Sequence, residues 1–523
     1  MKPILVTGAT GYIGGRLIPM LLERGYSVRC LARDPKKLEG RPWTDRVQVV
    51  RGDVLDPDSL RAALVGCPSA YYLVHSMVAG EGSFIDRDRA AARNFASAAE
   101  SAGLDRVVYL GGLGRRADDL SPHLASRQEV GDILRGGAVP VTELRAAMII
   151  GSGSASFEMM RSLIKRLPVM ICPRWVSTRN QPIAVRDVLA YLVGCLEEPR
   201  TAGRTLDVGG PDILTYKEMM IRFAAILGLR RRIVVVPVLT PTLSAYWINL
   251  VTPIPAALAF PLVEGLKSEV ICQNDGIRRL VPITPTPFGE AVQRALDKVA
   301  ENDVSTRWAN AALPSRAALL RRPKFEPDSF PLRDVQRKEA DAPAPALFDR
   351  VKRIGGSTGY YYGDALWRIR GAMDRVVGGV GLRRGRRDPV RIYIGDALDF
   401  WRVEDFVPGR RLLLHAEMRV PGEAWLEFRV DPIGERRSVL TQTAYFKPSK
   451  FWGRLYWYAS LPAHLFIFSG MASSIVRSAE AACDSRPPPR DDEEDQPTAG
   501  KAGPPMVIDQ PEGRATTAGG ASR

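Results

Sequence analysis

Gly8, Gly11 and Gly14 in "TGATGYIGG" follow the apolar run Pro3 to Val6 directly and open a helix-period segment. Glycines spaced this way between strand and helix let the backbone turn tightly and approach a pyrophosphate. The phosphate charge then meets the free amides and the positive dipole end of the helix N-terminus. The cradle would comprise Thr7, Gly8, Thr10, Gly11, Tyr12, Ile13 and Gly14. The spacing is GxxGxxG rather than GxGxxG, so the strand–turn–helix context carries the assignment. Arg33 ends the second strand in "CLARDP", where an acid would bond a ribose 2′-hydroxyl and an arginine accommodates a 2′-phosphate. Arg33 therefore points to NADP(H), while Asp34 either keeps NAD open or caps the next helix. Asp53 and Val54 in "RGDVLD" are set to face the adenine, with a plain turn aspartate as the other reading of Asp53. Leu73, Val74 and His75 end the fourth strand, beside the nicotinamide half of such a ligand.

Other chemistries find little support. Six Cys lie scattered without CxxC spacing, and the four His do not join them at metal-ligand intervals, so no disulfide framework or metal site is expected. "GSGSAS" at 151–156 lacks the GxSxG order of a nucleophile elbow. The net charge of +15 includes the dense run Leu382 to Arg391, but no basic stretch is interleaved with aromatics as in a nucleic-acid reader. Nucleic acid is not an expected partner, and the basic run reads as a solvated loop. No signal peptide precedes the first strand, so a cytoplasmic location is expected. The uncharged runs Ile233 to Val263 and Leu455 to Val476 add peripheral membrane contact as an alternative. Prolines divide the first run, and the second reads as a buried helix.

The elements that must hold the glycine loop are legible from periodicity. Strands are expected at Ile4–Thr7, Ser27–Ala32, Val47–Gly52, Ala70–Val74, Arg106–Leu110 and Val141–Leu144. Helices fall at Gly11–Arg24, Ser59–Val65, Asp86–Ser101 and Ser126–Gly136. This alternation predicts an α/β doubly wound Rossmann domain. Ile183–Glu197 and Thr215–Leu227 read as helices and "TLDVGG" as a strand of a small cap, closed by a helix from Phe288. The expected domains are 1–300, a Pro- and Arg-rich linker at 301–345, an α+β domain at 346–482, and a disordered tail at 483–523.

The order of "TGATGYIGG", "GDVLD", "RVVYLGGLG", "QPIAVRDV" and "LDVGGPD" over the first 300 residues resembles an atypical, extended short-chain dehydrogenase/reductase. The nearest resemblance is to NmrA-like NAD(P)-binding proteins and to those akin to an accessory subunit of respiratory complex I. That family's chemistry rests on a Tyr in YxxxK and a Ser after the fifth strand. Gly111 or Gly112 stands where the Ser is expected, and "SPHLASRQEV" holds His123 and Arg127 at the Tyr and Lys positions. The resemblance implies His123 as a proton shuttle and Arg127 as an anchor for the nicotinamide ribose or a substrate oxyanion. The other reading makes His123 a helix-start residue, Arg127 a cofactor clamp and Ser126 a helix cap. The implied activity is an oxidoreductase acting on a carbonyl or enone compound. The alternatives are a non-catalytic NADP(H) sensor or assembly factor, and a carrier of a small hydrophobic ligand or lipid.

From residue 346 the pattern changes. "DALWRIRGAMDRVV" sets Leu366, Ile369, Met373, Val376 and Val377 on one helical face, with Asp364 as N-cap. Strands are expected at Arg391–Asp396, Asp399–Asp405, Leu412–Val420, Ala424–Val430 and Ser438–Phe446. A helical stretch at Lys450–Ala482, interrupted near Pro462, then lies across the sheet. This layout, with "GYYYGDALWRIRG", "PGEAWLEFRV" and "LYWYASLPAHLFIFSGM", resembles an uncharacterised bacterial domain of helix-grip, START-like type. Trp401, His415, Glu417, Trp425, Glu427 and His464 are its candidate cavity residues. The sequence sets no oligomeric state.

Overall fold

The computed structural model describes residues 2–75, 84–114, 120–236, 262–301, 306, 325–356, 358–377, 379–383, 386, 388 and 390–484. Most of the apolar run 233–263, most of the linker, part of the basic run and the tail beyond 484 lie outside the described residues.

The first strands are β1 (Ile4–Val6), β2 (Val28–Ala32), β3 (Gln48–Arg51), β4 (Ser69–Tyr72), β5 (Arg106–Gly112) and β6 (Val141–Ala146). They form one parallel sheet, joined at its edge by Thr205–Val208, in the order Thr205–Val208, β6, β5, β4, β1, β2, β3. Crossover helices α1 (Gly14–Glu23), α2 (Pro57–Leu64), α3 (Phe84–Ser101) and α4 (Pro122–Arg135) alternate with the strands. Helix-covered strands lose their solvent face, so central positions such as Leu5 and Val6 are wholly buried. Strand order reverses between β1 and β4. Ligands of open α/β sheets bind at such a switch point, beyond the carboxyl ends of the strands.

Three local expectations change. Thr205–Val208 is not a cap strand: it is the seventh strand of the main sheet, tied by a 2.7 Å Arg145–Asp207 ion pair. Ile183–Ala184 pairs in parallel with Ile149–Ile150, and the helix starts at Val185. Helix α4 starts at Pro122, four residues before Ser126. The Ser121 hydroxyl accepts from the Leu124 N–H at 3.4 Å, and proline at the first helical position is already bent for the helix. Ser126 is buried inside that helix rather than capping it. The cap gathers α5 (Ala155–Arg166), Tyr216–Ile226 and Phe288–Ala300 around Phe157, Phe223 and Phe288.

The second sheet is antiparallel, in the order Leu332–Ala340, Ser438–Pro448, Gly422–Pro432, Arg411–Ala416, Trp401–Val407, Ala397–Leu398. Leu332–Ala340, assigned to the linker from sequence, is its edge strand, paired over nine residues with Ser438–Phe446. Its "LRDVQRKEA" reads as linker because exposed sheet edges carry charge. Arg391–Asp396 is not a strand. The Asp388 carboxylate accepts from the Val390 and Arg391 N–H groups, and Asp396 from that of Tyr393, so side chains hold the backbone in turns.

The strand expected to reach Val420 ends at Ala416. Its second face is also covered: Leu413 lies with Phe325, Phe330, Trp425 and Tyr445. The helix Lys450–Asp484 runs through Pro462 without interruption. Its second half, with Met471, Ala472, Ile475 and Ala479, packs on Leu412, Leu414, Leu426 and Phe428. Asp364 is the first helical residue rather than the cap, and its carboxylate accepts from the Tyr360 N–H at 2.9 Å. Leu366, Ile369, Met373 and Val377, grouped on one face from sequence, point outward instead of into this core.

His464 sits between Trp457 and Phe468, with ring centroids 5.2 and 5.1 Å away, and burial followed by the Arg370 charge lowers its pKa from 6.5 to about 4. The unfolded chain therefore takes up this proton first, and folded stability is lost as pH falls from 6.5 towards 4. Thermal melts of wild type and His464→Phe across this window check it. The variant's melting temperature is expected to depend less steeply on pH.

Candidate functional site

The glycine loop closes at the switch point. Gly8 has φ of +70°, and a Cβ there would lie 2.6 Å from the Leu73 carbonyl oxygen at the end of β4. A Cβ on Gly14 would lie 2.3 Å from the Gly8 carbonyl oxygen, and Gly11 N–H donates to that same oxygen at 2.8 Å. These approaches draw the N-terminus of α1 onto the end of β1. Ile13 caps α1 with no side-chain hydrogen bond, and the Gly15 and Arg16 N–H groups turn back onto the Gly11 and Ile13 carbonyls, so the loop offers a ligand the positive end of the helix dipole rather than a full set of open amides. This end, with its close-packed glycines, fits a dinucleotide pyrophosphate.

The neighbouring residues divide their tasks. Thr7 is buried: its hydroxyl donates to the Tyr71 carbonyl at 3.0 Å and accepts from Leu73 N–H at 3.1 Å, so its side chain locks β1 to β4. Thr10, Gly11, Tyr12 and Ile13 remain partly accessible in the loop. The Tyr12 hydroxyl faces Gly151, and burial raises its pKa to about 12. Arg33 is exposed at the end of β2, whereas the Asp34 carboxylate accepts from Lys36 N–H and caps the following turn. Asp53 fixes its own turn by accepting from Leu55 N–H at 3.1 Å, and Asn94 of α3 holds the Val54 carbonyl. Just beyond Arg33, the Tyr393 ring lies against Gly40 and under the Arg41 guanidinium, so the segment before the second sheet touches the loop after β2.

Sequence reasoning names His75 and His123 but misses Asp88 and the chain that the three form at the far side. His75, just past β4, shares a 3.2 Å contact between its Nδ1 and the Asp88 carboxylate of α3, and its ring centroid lies 4.7 Å from that of His123. Among the described residues, His75 Nε2 and His123 Nδ1 are buried without hydrogen-bond partners. Burial, then the Arg127 charge, lowers the pKa of His75 against the opposing pull of Asp88. His123 is pushed well below 6.5 by burial, His75 and Arg127. Asp88 is invisible in "FIDRDRAA", which reads as a solvated helix face; only the fold turns it inward.

Arg127 donates to the Leu110 carbonyl, and its guanidinium lies 5.5 Å from the Tyr109 ring centroid. The Tyr109 hydroxyl donates to the Arg127 carbonyl at 2.9 Å, and burial raises its pKa to about 12, so this tyrosine is a poor acid. Gly112 stands where a Cβ would lie 3.1 Å from the Leu124 side chain. Beside His123 and Arg127 a largely apolar cavity of about 600 Å³ opens, walled by Met148, Met159, Met170 and Tyr216.

The C-terminal candidates do not converge. Trp401 packs in the core on one face of the sheet and Trp425 on the other, beside His415 at 4.5 Å. Glu417 is paired with Arg402 at 3.0 Å. Glu427 is paired with Arg411 at 2.6 Å and accepts from the Tyr445 hydroxyl. Among the described residues no cluster of His, Cys, Asp and Glu suits a metal ion.

Residues 8–148 match the family described as NAD(P)H-binding, and residues 327–471 match "Protein of unknown function (DUF2867)". Cinnamoyl-CoA reductase 1 of Oryza sativa subsp. japonica is 39% identical over 119 residues, which are 21% of this chain and 34% of that protein. Ceramide reductase of Caulobacter vibrioides is 29% identical over 45% of this chain and 73% of the relative. A mitochondrial NADH dehydrogenase [ubiquinone] 1 alpha subcomplex subunit 9 of Arabidopsis thaliana is 25% identical over 41% and 55% respectively. The chain thus spans about a third of the rice protein's length and about half of the Arabidopsis one's.

The N-terminal domain is an NAD(P)H-binding Rossmann domain, and its cofactor is a nicotinamide dinucleotide. Gly14→Val should therefore raise the dissociation constant for NADPH at least about tenfold, because the new side chain drives the helix end from Gly8. Calorimetric titration measures this, with circular dichroism checking that the fold persists.

Proposed function

We propose that this protein is an NADP(H)-dependent reductase of a hydrophobic carbonyl or enone compound. The observation that carries this reading is the chain Asp88–His75–His123, ending at an apolar cavity where the family's Tyr and Lys would stand. NADPH, when bound, supplies a hydride. Gly8, Gly11 and Gly14 let the pyrophosphate approach, Asp53 and Val54 line the adenine side, and Arg33 faces the 2′-phosphate. Exposure of Arg33, together with the capping role of Asp34, favours NADP(H) over NAD.

His123 then acts at the substrate oxygen, with its imidazole donating the hydrogen bond and delivering the proton. The His75 ring packs against that of His123 and holds it in place, and Asp88 fixes the tautomer of His75. Arg127 steadies the developing oxyanion while its own contact with the Leu110 carbonyl holds the guanidinium in place. The apolar walls exclude water and select a substrate with a large hydrophobic body. Ceramide reductase, by name, acts on a molecule with a large apolar body, in keeping with this reading.

The test is consumption of NADPH by the full-length protein over a panel of apolar aldehydes, ketones and enones. Turnover on one class is expected, and His123→Ala should reduce it by about 10²–10⁴. NADPH binding should survive in that variant. Tight NADPH binding with no consumption on any compound would sink the proposal. Because the pKa values of both histidines are lowered, the protonated donor is depleted at neutral pH, and the reductive rate should climb as pH falls below 6.5. Asp88→Asn removes the charge that supports the His75 proton and should move that climb to still lower pH. Arg33→Ala should weaken NADPH about tenfold and leave NADH nearly unchanged, read from the two KM values.

A further inference from the structure

Two helices of the C-terminal region turn large apolar side chains to the outside. On helix Asp364–Val376 and just past it, Leu366, Ile369, Met373 and Val377 form one stripe, with Met373 65% exposed. On the first half of helix Lys450–Asp484, Phe451, Trp452, Leu455, Tyr458, Leu465 and Phe466 form another, with Phe451 71% and Trp452 70% exposed. The helices are neighbours. The Tyr362 ring meets the Phe466 ring edge-on at 5.2 Å, and the Arg370 guanidinium donates to the Tyr456 hydroxyl and lies 5.5 Å from its ring centroid. The stripes therefore run side by side, and an exposed apolar face of this extent marks an interaction surface.

Charge identifies the occupant. Residues 365–391 contain eight Arg against two Asp. One of the two, Asp374, is buried, with its carboxylate engaged by the Gly381 and Arg419 N–H groups. Residues 451–479 contain Arg454 and Arg477 and no carboxylate. Exposed Arg454 flanks the stripe on its own helix, and exposed Arg368 lies on the helix that carries the other. A second copy of this face would bring arginine against arginine. An anionic lipid leaflet offers the opposite charge, and aromatic side chains such as Trp452 and Tyr458 favour its headgroup boundary.

The helix Phe451–Cys483 is long and apolar enough to cross a membrane. Its second half, however, fills the core of the antiparallel sheet through Met471, Ala472, Ile475 and Ala479. Only the first half is free to meet lipid, and that half can lie in an interface but cannot span one.

We propose that the outer faces of helix 364–376 and of residues 451–466 form a docking surface that seats the protein peripherally on an anionic bilayer. This uses no residue of the reductase proposal and stands or falls apart from it.

The full-length protein is floated with vesicles of phosphatidylglycerol and phosphatidylcholine, or of phosphatidylcholine alone. Binding to the first set at low salt is expected, at least about tenfold stronger than to the second and weakened in about 0.5 M NaCl. The double variant Phe451→Ser/Trp452→Ser and, separately, Arg368→Glu/Arg454→Glu should each lower binding about tenfold while NADPH binding and the circular dichroism melt stay unchanged. Should the serine variant fail to fold, the conservative Trp452→Phe supplies the readout: brominated lipid should quench tryptophan fluorescence more in wild type than in the variant. Three results would overturn the proposal. One is wild-type protein that stays in the soluble fraction with anionic vesicles. Another is a dimer by light scattering that the serine variant dissociates. The third is membrane-bound protein that only detergent, and neither salt nor alkali, releases.

Discussion

The close approach of backbone to backbone at Gly8 constrains everything built around it. The turn after β1 passes so near the Leu73 carbonyl that no side chain fits between them, and Gly14 brings the start of α1 onto the same turn. Thr7 bolts β1 to β4 from beneath. The N-terminus of α1, the end of β4 and the crevice between them therefore hold one fixed relation. His75 lies three residues past β4, so its position relative to the cradle follows from the same packing. Shaping the cradle and placing the His75–His123 pair beside it are in this sense one structural problem, solved at one junction.

Much of this was legible in the sequence, for a definite reason. The first six strands and their helices repeat short apolar runs and helix-period segments, and local periodicity suffices to find them. The glycine loop is legible because its meaning depends on its immediate neighbours. Asp88 is not legible in this way: its helix is charged all along, and only the packing of α3 beside β4 turns one of several carboxylates inward. The strand Leu332–Ala340 hides for the opposite reason, since an edge strand keeps its charges outside and resembles a linker. Periodicity also misleads in helix 364–376. It finds the apolar stripe correctly and says nothing about whether the rest of the chain covers it.

The C-terminal sheet shows how residue type can suggest chemistry that pairing removes. Glu417 and Glu427 look like an acid and a base on one strand pair, but Arg402 and Arg411 neutralise them, and Tyr445 adds a hydrogen bond to Glu427. Carboxylates matched this way serve the sheet: without Glu417 the buried Arg402 charge would lose its carboxylate, at a cost of about 3–5 kcal/mol. The contrast with the N-terminal site is instructive. There, two imidazole nitrogens beside a cavity are buried and unmatched among the described residues.

Thr306 lies beyond the last helix of the Rossmann region, yet it returns to the glycine loop. Its hydroxyl donates to the Tyr12 carbonyl at 3.0 Å and accepts from the Arg16 guanidinium at 2.8 Å, and its methyl group fills the space beside Gly15. A gene cut at codon 300, where composition suggests the domain ends, would strip the cofactor loop of a brace and leave Arg16 short of two of its acceptors. Shuffling or recombining the two halves is therefore clean only when the breakpoint falls after Thr306. The unit that evolution or an engineer can move intact is longer than the unit that the sequence pattern outlines.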